Sequence, residues 1–171
     1  MAASGQTPHG EPDPGGSLGI AILTVSDSRT VAEDRSGDLI RDLADEAGHR
    51  MVRRGLVADQ PEAIRGWVAD AIQDDRVEAI VLTGGTGISP RDQTVDTVAK
   101  MLDRTLEGFG ELFRMLSFEE IGPRAQLSRA LAGVAHGTPI YCLPGSTAAV
   151  RLGMQRLILP VLPHVVGELR R

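Results

Sequence analysis

The segment that most constrains the fold is a continuous apolar run, IAILTVS, at residues 20–26. It has the length of one strand, it contains β-branched residues, and it ends in a polar loop at residues 27–29. A strand without polar alternation needs both of its faces covered, which is typical of the interior of a parallel sheet. The run therefore predicts a central strand in a sheet that is covered on both sides.

Helical and strand-like patterns alternate after this run. Apolar residues at helical spacing predict a helix over residues 35–48, and a second helix follows Pro61, which suits a first helical turn. Strand patterns at residues 51–57 and 77–83 complete a β-α-β-α-β series. This series predicts an α/β fold with a doubly wound, mostly parallel sheet and helices on both faces. Later patterns predict helices near residues 94–102, 109–120 and 147–159 and a strand at residues 138–143.

Composition restricts the class of protein. The chain has 171 residues, a net charge of −5 and no basic block, which argues against non-specific nucleic-acid binding. One cysteine, Cys142, excludes an intrachain disulfide and a multi-thiolate metal site. No apolar run has the length of a membrane-spanning helix, and no basic region of a signal peptide precedes Arg29. A cytoplasmic location is therefore predicted.

Residues 1–17 differ in composition from the remainder of the chain. Glycine, proline and serine make up nine of these seventeen residues, so the segment lacks the apolar surface that would offset its ordering entropy. We expect a flexible N-terminal tail here. No linker or internal repeat divides residues 18–171, which predicts one domain over that range.

Three polar loops follow predicted strands. Ser26-Asp27-Ser28 follows the first strand, Gly84-Gly85-Thr86-Gly87 follows the third, and Pro144-Gly145-Ser146 follows the late strand. Ligands of open α/β sheets bind beyond the carboxyl ends of the strands, where the strand order reverses. Backbone N–H groups and hydroxyls in such loops suit a phosphate group. We therefore predict that the three loops form a phosphate-binding site.

Common nucleotide and metal motifs are missing from the sequence. The only lysine, Lys100, follows Ala99, so there is no Walker A loop, and no Gly-x-Gly-x-x-Gly follows the first strand. The four histidines lie far apart in the sequence, which disfavours a histidine-built zinc site. Cys142 lies within a predicted core strand, where thiols are commonly buried and inert.

The segment LTGGTGISPRD at residues 82–92 combines glycines, hydroxyls, a cation and a carboxylate. Pro90 would stiffen the loop and fix the directions of Arg91 and Asp92. A carboxylate beside phosphate-binding glycines suits Mg²⁺, a hard cation that prefers oxygen ligands. The alternative is a turn-rich loop with a solvent-exposed arginine–aspartate pair.

Four segments carry a specific resemblance: TVSDSR at 24–29, LTGGTGISPRD at 82–92, EGFGELFRMLSFEEIGPRAQLSRALAG at 107–133 and LPGS at 143–146. In order and spacing they resemble the MoaB/Mog family of molybdenum cofactor biosynthesis, over residues 18–165. The long middle segment is similar to the MoaB branch. The resemblance implies a molybdopterin-binding fold and the reaction of molybdopterin with Mg-ATP. That reaction gives adenylyl-molybdopterin and pyrophosphate and prepares the cofactor for metal insertion by a downstream protein.

The resemblance also assigns roles to individual residues. The acidic residues of the active members match Asp59, in LVADQPEAI, and Asp92, in SPRD, and both would bind Mg²⁺ or orient ATP. Ala58 stands where the family commonly has proline. Ser128, in QLSRA, matches an element that would contact the phosphate or pyran side of the pterin.

Further charged side chains are candidates for the site. Both reactants are polyanions, so catalysis of their reaction depends mainly on positioning and charge neutralisation. Arginine side chains suit this role, and the first candidate is Arg91, followed by Arg29, Arg114 and Arg129. Glu111 could accept hydrogen bonds from the amino-pyrimidinone edge of the pterin. The alternative for Glu111 and for the last three arginines is a solvated surface position.

Two functions remain open at this level. One is an active molybdopterin adenylyltransferase, favoured by Asp59 and Asp92; the other is a non-catalytic molybdopterin-binding protein of the MoaB branch. The two aspartates could instead be helix caps. The resemblance also implies a homo-oligomer, a hexamer in preference to a trimer. A helix at residues 109–118 with apolar residues on more than one face agrees with an interface there.

Overall fold

The structure is a computed structural model that describes residues 16–171, and one six-stranded sheet lies at its centre. The order along the sheet is β2-β1-β3-β6-β5-β4. Strands β1, β2, β3 and β6 are parallel, and β5 is antiparallel to both of its neighbours. The strands are β1 (Gly19–Val25), β2 (Arg50–Val57), β3 (Ala79–Thr83), β4 (Arg104–Thr105), β5 (Leu131–Ala135) and β6 (Thr138–Leu143).

Six α-helices cover the two faces of this sheet. They are α1 (Arg35–Glu46), α2 (Pro61–Ile72), α3 (Thr94–Ala99), α4 (Glu107–Ile121), α5 (Thr147–Gly153) and α6 (Leu162–Leu169). Helices α1, α4, α5 and α6 pack on one face, and α2 and α3 pack on the other. The predicted doubly wound α/β fold with helices on both faces is confirmed.

The apolar run in β1 is buried along its whole length, as its sequence predicts. Ile20 and Ile22 point into the core under α1, whereas Ala21 and Leu23 point into the core under α2. This division follows from the alternation of side chains along a strand. A strand at the centre of the sheet therefore needs apolar residues at successive positions, because these face opposite sides of the sheet.

The strand order places a crevice beyond the carboxyl ends of β1 and β3. The chain leaves β1 for β2 on one side and then returns to β3 on the other side of β1. Such a reversal separates the two following loops and opens a site between them. The polar loops that begin at Ser26 and Gly84 lie at this point.

Three elements, β4, β5 and α6, were not predicted from the sequence. β5 is short and contains Gly133, and it joins β6 through a turn in which His136 (φ 48°) and Gly137 (φ 78°) both have left-handed backbone. Such turns suit tight hairpins. Helix α6 carries Pro163 in its first turn, where a missing N–H group does no harm.

The predicted N-terminal tail, residues 1–17, lies outside the described residues apart from Gly16 and Ser17. Within residues 16–171, no helix combines the length and the apolar character needed to cross a membrane.

Candidate functional site

The loops that follow β1, β3 and β6 meet in one cleft of about 670 Å³. They converge because the carboxyl ends of neighbouring parallel strands lie at the same edge of the sheet. Helix α4 and the 3-10 turn at Gly122–Leu127 form the opposite wall. Ten of the predicted site residues line this cleft: Ser26, Gly84, Gly85, Thr86, Gly87, Asp92, Ser128, Pro144, Gly145 and Ser146.

The Gly84–Gly87 loop requires glycine at its first two positions. Gly84 (φ 96°) and Gly85 (φ 62°) have left-handed backbone, which side chains disfavour. A Cβ atom at Gly84 would stand 2.2 Å from the Val25 carbonyl oxygen. Among residues 16–171, the amides of Gly85, Thr86 and Gly87 donate to no acceptor. Unpaired amides on a strand-to-helix loop suit a phosphate group.

Asp59 and Asp92 lie against this glycine loop. Asp59 follows β2 and is 9% exposed, and its Oδ1 accepts a hydrogen bond from the Gln93 amide at 3.0 Å. Asp92 closes the loop, and its Oδ2 accepts from the Ser89 amide at 2.9 Å. Each carboxylate therefore has one oxygen fixed by the backbone.

A third carboxylate, Asp27, lies beside Asp59. Its Oδ1 accepts from the Asp59 amide at 2.9 Å, and both residues line a recess of about 280 Å³ beside the cleft. Burial raises the pKa of Asp59 above its ordinary value, and the nearby charges of Asp92 and Asp27 raise it further, although the Gln93 amide opposes them. A cation would relieve this repulsion.

The carboxylates of Asp59 and Asp92 suit a divalent cation whose other ligands are water and substrate oxygens. In the part of the chain that the structure describes, no three acidic, histidine or cysteine side chains are placed to hold a metal ion. Mg²⁺ usually takes one or two carboxylates and completes its octahedron with water and substrate phosphates. Asp59 and Asp92 match the one or two carboxylates that Mg²⁺ usually takes.

Neither aspartate is a helix cap. The N-cap residues of α2 and α3 are Gln60 and Gln93, and neither helix receives a hydrogen bond from the side chain of its N-cap residue. Asp92 instead bonds within its own loop, and Asp59 bridges from the end of β2 to the start of α3. The capping interpretation is therefore wrong for both residues.

The sequence matches a known protein family. Residues 21–164 match the family described as a probable molybdopterin binding domain, of molybdenum cofactor biosynthesis. The chain belongs to this family.

Individual relatives and solved structures of the same family are similar to this chain. The chain is 48% identical over 149 residues to molybdenum cofactor biosynthesis protein B of Halalkalibacterium halodurans, covering 86% of the chain and 88% of the relative. A crystal structure of a molybdenum cofactor biosynthesis protein B has a TM-score of 0.89 at 42% identity, covering 95% and 99% of the two chains. The tungsten cofactor synthesizing protein MoaB from Pyrococcus furiosus has a TM-score of 0.82 at 32% identity, covering 91% and 98%. The resemblance to the MoaB/Mog family is thereby confirmed.

The start of α1 connects the first loop of the cleft to the third. The Gly145 carbonyl accepts hydrogen bonds from the Ser36 hydroxyl at 2.7 Å and from the Arg29 guanidinium at 3.1 Å. Asp34, which is fully buried, caps α1 by accepting from the Gly37 amide at 2.9 Å. The position of the third loop therefore depends on the first turn of α1.

The charge of Asp34 is balanced from β2. Arg54 donates to Asp34 Oδ2 at 2.8 Å, and the Thr24 hydroxyl donates to the same oxygen at 2.7 Å. Burial alone would raise the pKa of Asp34, but the hydrogen bonds from Arg54, Gly37 and Thr24 outweigh it and hold the pKa below its ordinary value. This buried ion pair fixes the first turn of α1.

Glu111 is not brought to the cleft. Helix α4 turns Phe109 and Phe113 into the core, so the exposed Glu111 lies on another face of the helix. It lines a separate recess with Arg114, beside β4 and β5. The geometry of a single chain therefore does not support the expected contact between Glu111 and the pterin.

The arginines that line the cleft are Arg29 and Arg124. Arg124 was missed because nothing in the sequence distinguishes it from other exposed arginines; the 3-10 turn after α4 carries it to the cleft. Arg91 is 84% exposed and lies 3.5 Å from Asp27, in the neighbouring recess. Arg129 is paired with an aspartate of α3 at 2.5 Å.

Gly85→Ala is expected to cost more stability than its backbone conformation alone explains. Left-handed backbone costs an alanine about 1–2 kcal/mol, and here the new Cβ would also stand 2.3 Å from Thr94 Oγ1 and 2.5 Å from Asp59 Oδ2. Gly48→Ala is the matched control, because Gly48 has φ 83° and open space around its Cβ position. Chemical denaturation should give the larger loss for Gly85→Ala. Equal losses would contradict the close contact with Asp59.

Proposed function

We propose that this protein adenylylates molybdopterin with Mg-ATP during molybdenum cofactor biosynthesis. A terminal phosphate oxygen of molybdopterin would attack the α-phosphorus of ATP. The new P–O bond forms as the bond from the α-phosphorus to the bridging oxygen breaks, and pyrophosphate leaves. The adenylylated product would then pass to a downstream metal-insertion protein. Relatives named molybdenum cofactor biosynthesis protein B support the pathway.

The observation that carries this proposal is the placement of Asp59 and Asp92 against the unpaired amides of the Gly84–Gly87 loop. Phosphoryl transfer between polyanions depends on positioning and on charge neutralisation more than on proton transfer. Amides hold phosphate oxygens, and carboxylates hold the cation that accompanies them. Asp92 lies in the same loop as these amides, and Asp59 approaches them from the end of β2.

Different walls of the cleft would bind the cation, the phosphates and the heterocycle. Bound with ATP, Mg²⁺ supplies charge neutralisation at the phosphates and at the leaving pyrophosphate. Asp59 and Asp92 would hold and orient that cation. Arg29 and Arg124 would donate to the remaining phosphate oxygens. The exposed apolar side chains of the opposite wall, Ile121 and Leu127, suit one face of a flat heterocycle.

Release of pyrophosphate tests this function. The purified protein is incubated with molybdopterin and Mg-ATP, and pyrophosphate is measured against controls that omit the pterin or Mg²⁺. We expect release only when both are present. Binding of the pterin without any release would favour the non-catalytic molybdopterin-binding protein.

We also propose that α4 forms an interface between copies of this chain. Phe109 and Phe113 are buried, but Leu112, Met115 and Phe118 are 46%, 55% and 58% exposed. Neighbouring apolar side chains on an exposed helix face mark an association site. A cyclic hexamer of 18.2 kDa chains, about 110 kDa, is expected in preference to a trimer.

Light scattering after size-exclusion chromatography tests the interface. Phe118→Glu should shift the assembly to smaller species, because a buried carboxylate without a partner opposes association. Val161→Glu is the control, since Val161 is 45% exposed but lies outside α4. A monomeric wild-type protein at micromolar concentration would contradict the interface.

A further inference from the structure

Thr94 carries a buried hydroxyl that has no partner in the part of the chain described. It is the first residue of α3 and has no exposed surface, and its Oγ1 makes no hydrogen bond. Its amide, in contrast, donates to the Gly85 carbonyl at 3.0 Å. The residue is thus fixed by its backbone while its hydroxyl remains unused, which is uncommon because buried polar groups are usually paired.

The hydroxyl of Thr94 faces the same glycine as Asp59 does. A Cβ atom at Gly85 would stand 2.3 Å from Thr94 Oγ1 and 2.5 Å from Asp59 Oδ2. Both oxygens therefore lie on the same side of the Gly85 α-carbon. Asp59 Oδ1 is engaged by the Gln93 amide, whereas Oδ2 accepts no hydrogen bond from residues 16–171. An unused donor and an unused acceptor are neighbours here.

We propose that Thr94 is a positioning residue for Asp59, with a hydroxyl that is unpaired in the nucleotide-free protein and donates to Asp59 Oδ2 when Mg-ATP is bound. The inference rests on the proposed function, in which Asp59 orients the nucleotide and its cation. The Gln93 amide anchors Oδ1, and in this proposal the carboxylate rotates about that anchor to bring Oδ2 to the hydroxyl. The hydrogen bond would hold the carboxylate in the orientation that the nucleotide needs.

This role predicts opposite effects of Thr94→Val on stability and on nucleotide response. Valine replaces the hydroxyl with a methyl group of similar size, so the unliganded protein loses only an unpaired polar group. Its Tm is expected to stay level or to rise by about 2–4 °C. The rise in Tm caused by Mg-ATP should shrink, and kcat for adduct formation should fall about 10–100-fold with KM for molybdopterin unchanged. Thr94→Ser, which keeps the hydroxyl, should restore the nucleotide response.

Thr97→Val is the matched control, because Thr97 is also buried on α3 but lies one turn further on. It should leave the Mg-ATP response unchanged. A Thr94→Val protein that melts several degrees lower without nucleotide, or that keeps the full Mg-ATP response, would overturn the assignment. If wild-type protein forms no adduct, the proposed function fails on that result. The Mg-ATP shift in Tm, which needs no turnover, then still decides the role of Thr94.

Discussion

Asp59→Asn and Asp92→Asn are each expected to lower the rate of adenylylation by about 10²–10³-fold, the usual effect of removing one preorganised electrostatic contact. Asparagine keeps the volume and one acceptor oxygen, so the Gln93 and Ser89 amides retain a partner. It cannot neutralise a cation. Single-turnover rates of AMP-adduct formation measure the loss.

The same substitutions should not weaken the fold. The pKa of Asp59 is raised by burial and by neighbouring carboxylates. When the pH is above the ordinary carboxyl pKa, the ionised side chain therefore destabilises the folded state. Asp59→Asn should therefore melt at the wild-type temperature or above it near pH 7. Asp70→Asn is the control, because Asp70 is 75% exposed and lies 3.8 Å from its partner Arg53. Wild-type rates in both Asp59→Asn and Asp92→Asn would contradict the proposed catalytic roles.

Arg54→Met is expected to destabilise the protein by about 3–5 kcal/mol, the usual cost of leaving a buried charge without its partner. Asp34 has no exposed surface, and Arg54 supplies its only ion pair within residues 16–171. Urea denaturation near pH 7 measures the loss. Arg41→Met is the control, because Arg41 pairs with Asp38 and Asp42 at the surface, where such pairs contribute less than about 1 kcal/mol.

The effect of Arg54→Met should depend on pH. In the wild-type protein the pKa of Asp34 is lowered. Ionised Asp34 therefore stabilises the folded state above the pKa that it has in the unfolded chain, about 3.9, and this stabilisation is lost as the pH falls through the pKa that it has in the folded protein. In the variant, burial without Arg54 raises the pKa of Asp34, and protonation then removes the unpaired charge. The stability difference between the two proteins should therefore shrink as the pH falls toward 4. A difference that is constant with pH would contradict the ion-pair explanation.

The parallel half of the fold could be predicted because its signals are local. The run at residues 20–26 and the amphipathic helices that follow it each carry their own periodicity, so β1, α1, β2, α2 and β3 follow from sequence. β5 is too short and too rich in small residues to give such a signal, and its pairing with β6 depends on the turn at His136 and Gly137.

The three loops of the cleft could also be predicted, because each follows a strand and all parallel strands end at one edge. Side-chain direction was harder to predict. Glu111 and Arg124 lie on the same α4–turn unit, yet only Arg124 reaches the cleft, because the packing of Phe109 and Phe113 fixes the rotation of the helix. The pairing of Asp34 with Arg54 links two elements twenty residues apart and has no local pattern.

Isolation of the product tests the central claim most directly. Molybdopterin, Mg²⁺ and ATP labelled at the α-phosphate are incubated with the protein, and the pterin is separated and analysed by mass spectrometry. The account predicts that the label moves to the pterin as an AMP group on its terminal phosphate, with one pyrophosphate released for each adduct. Label that remains entirely in ATP while the pterin is bound would contradict the account and identify a molybdopterin-binding protein without this activity.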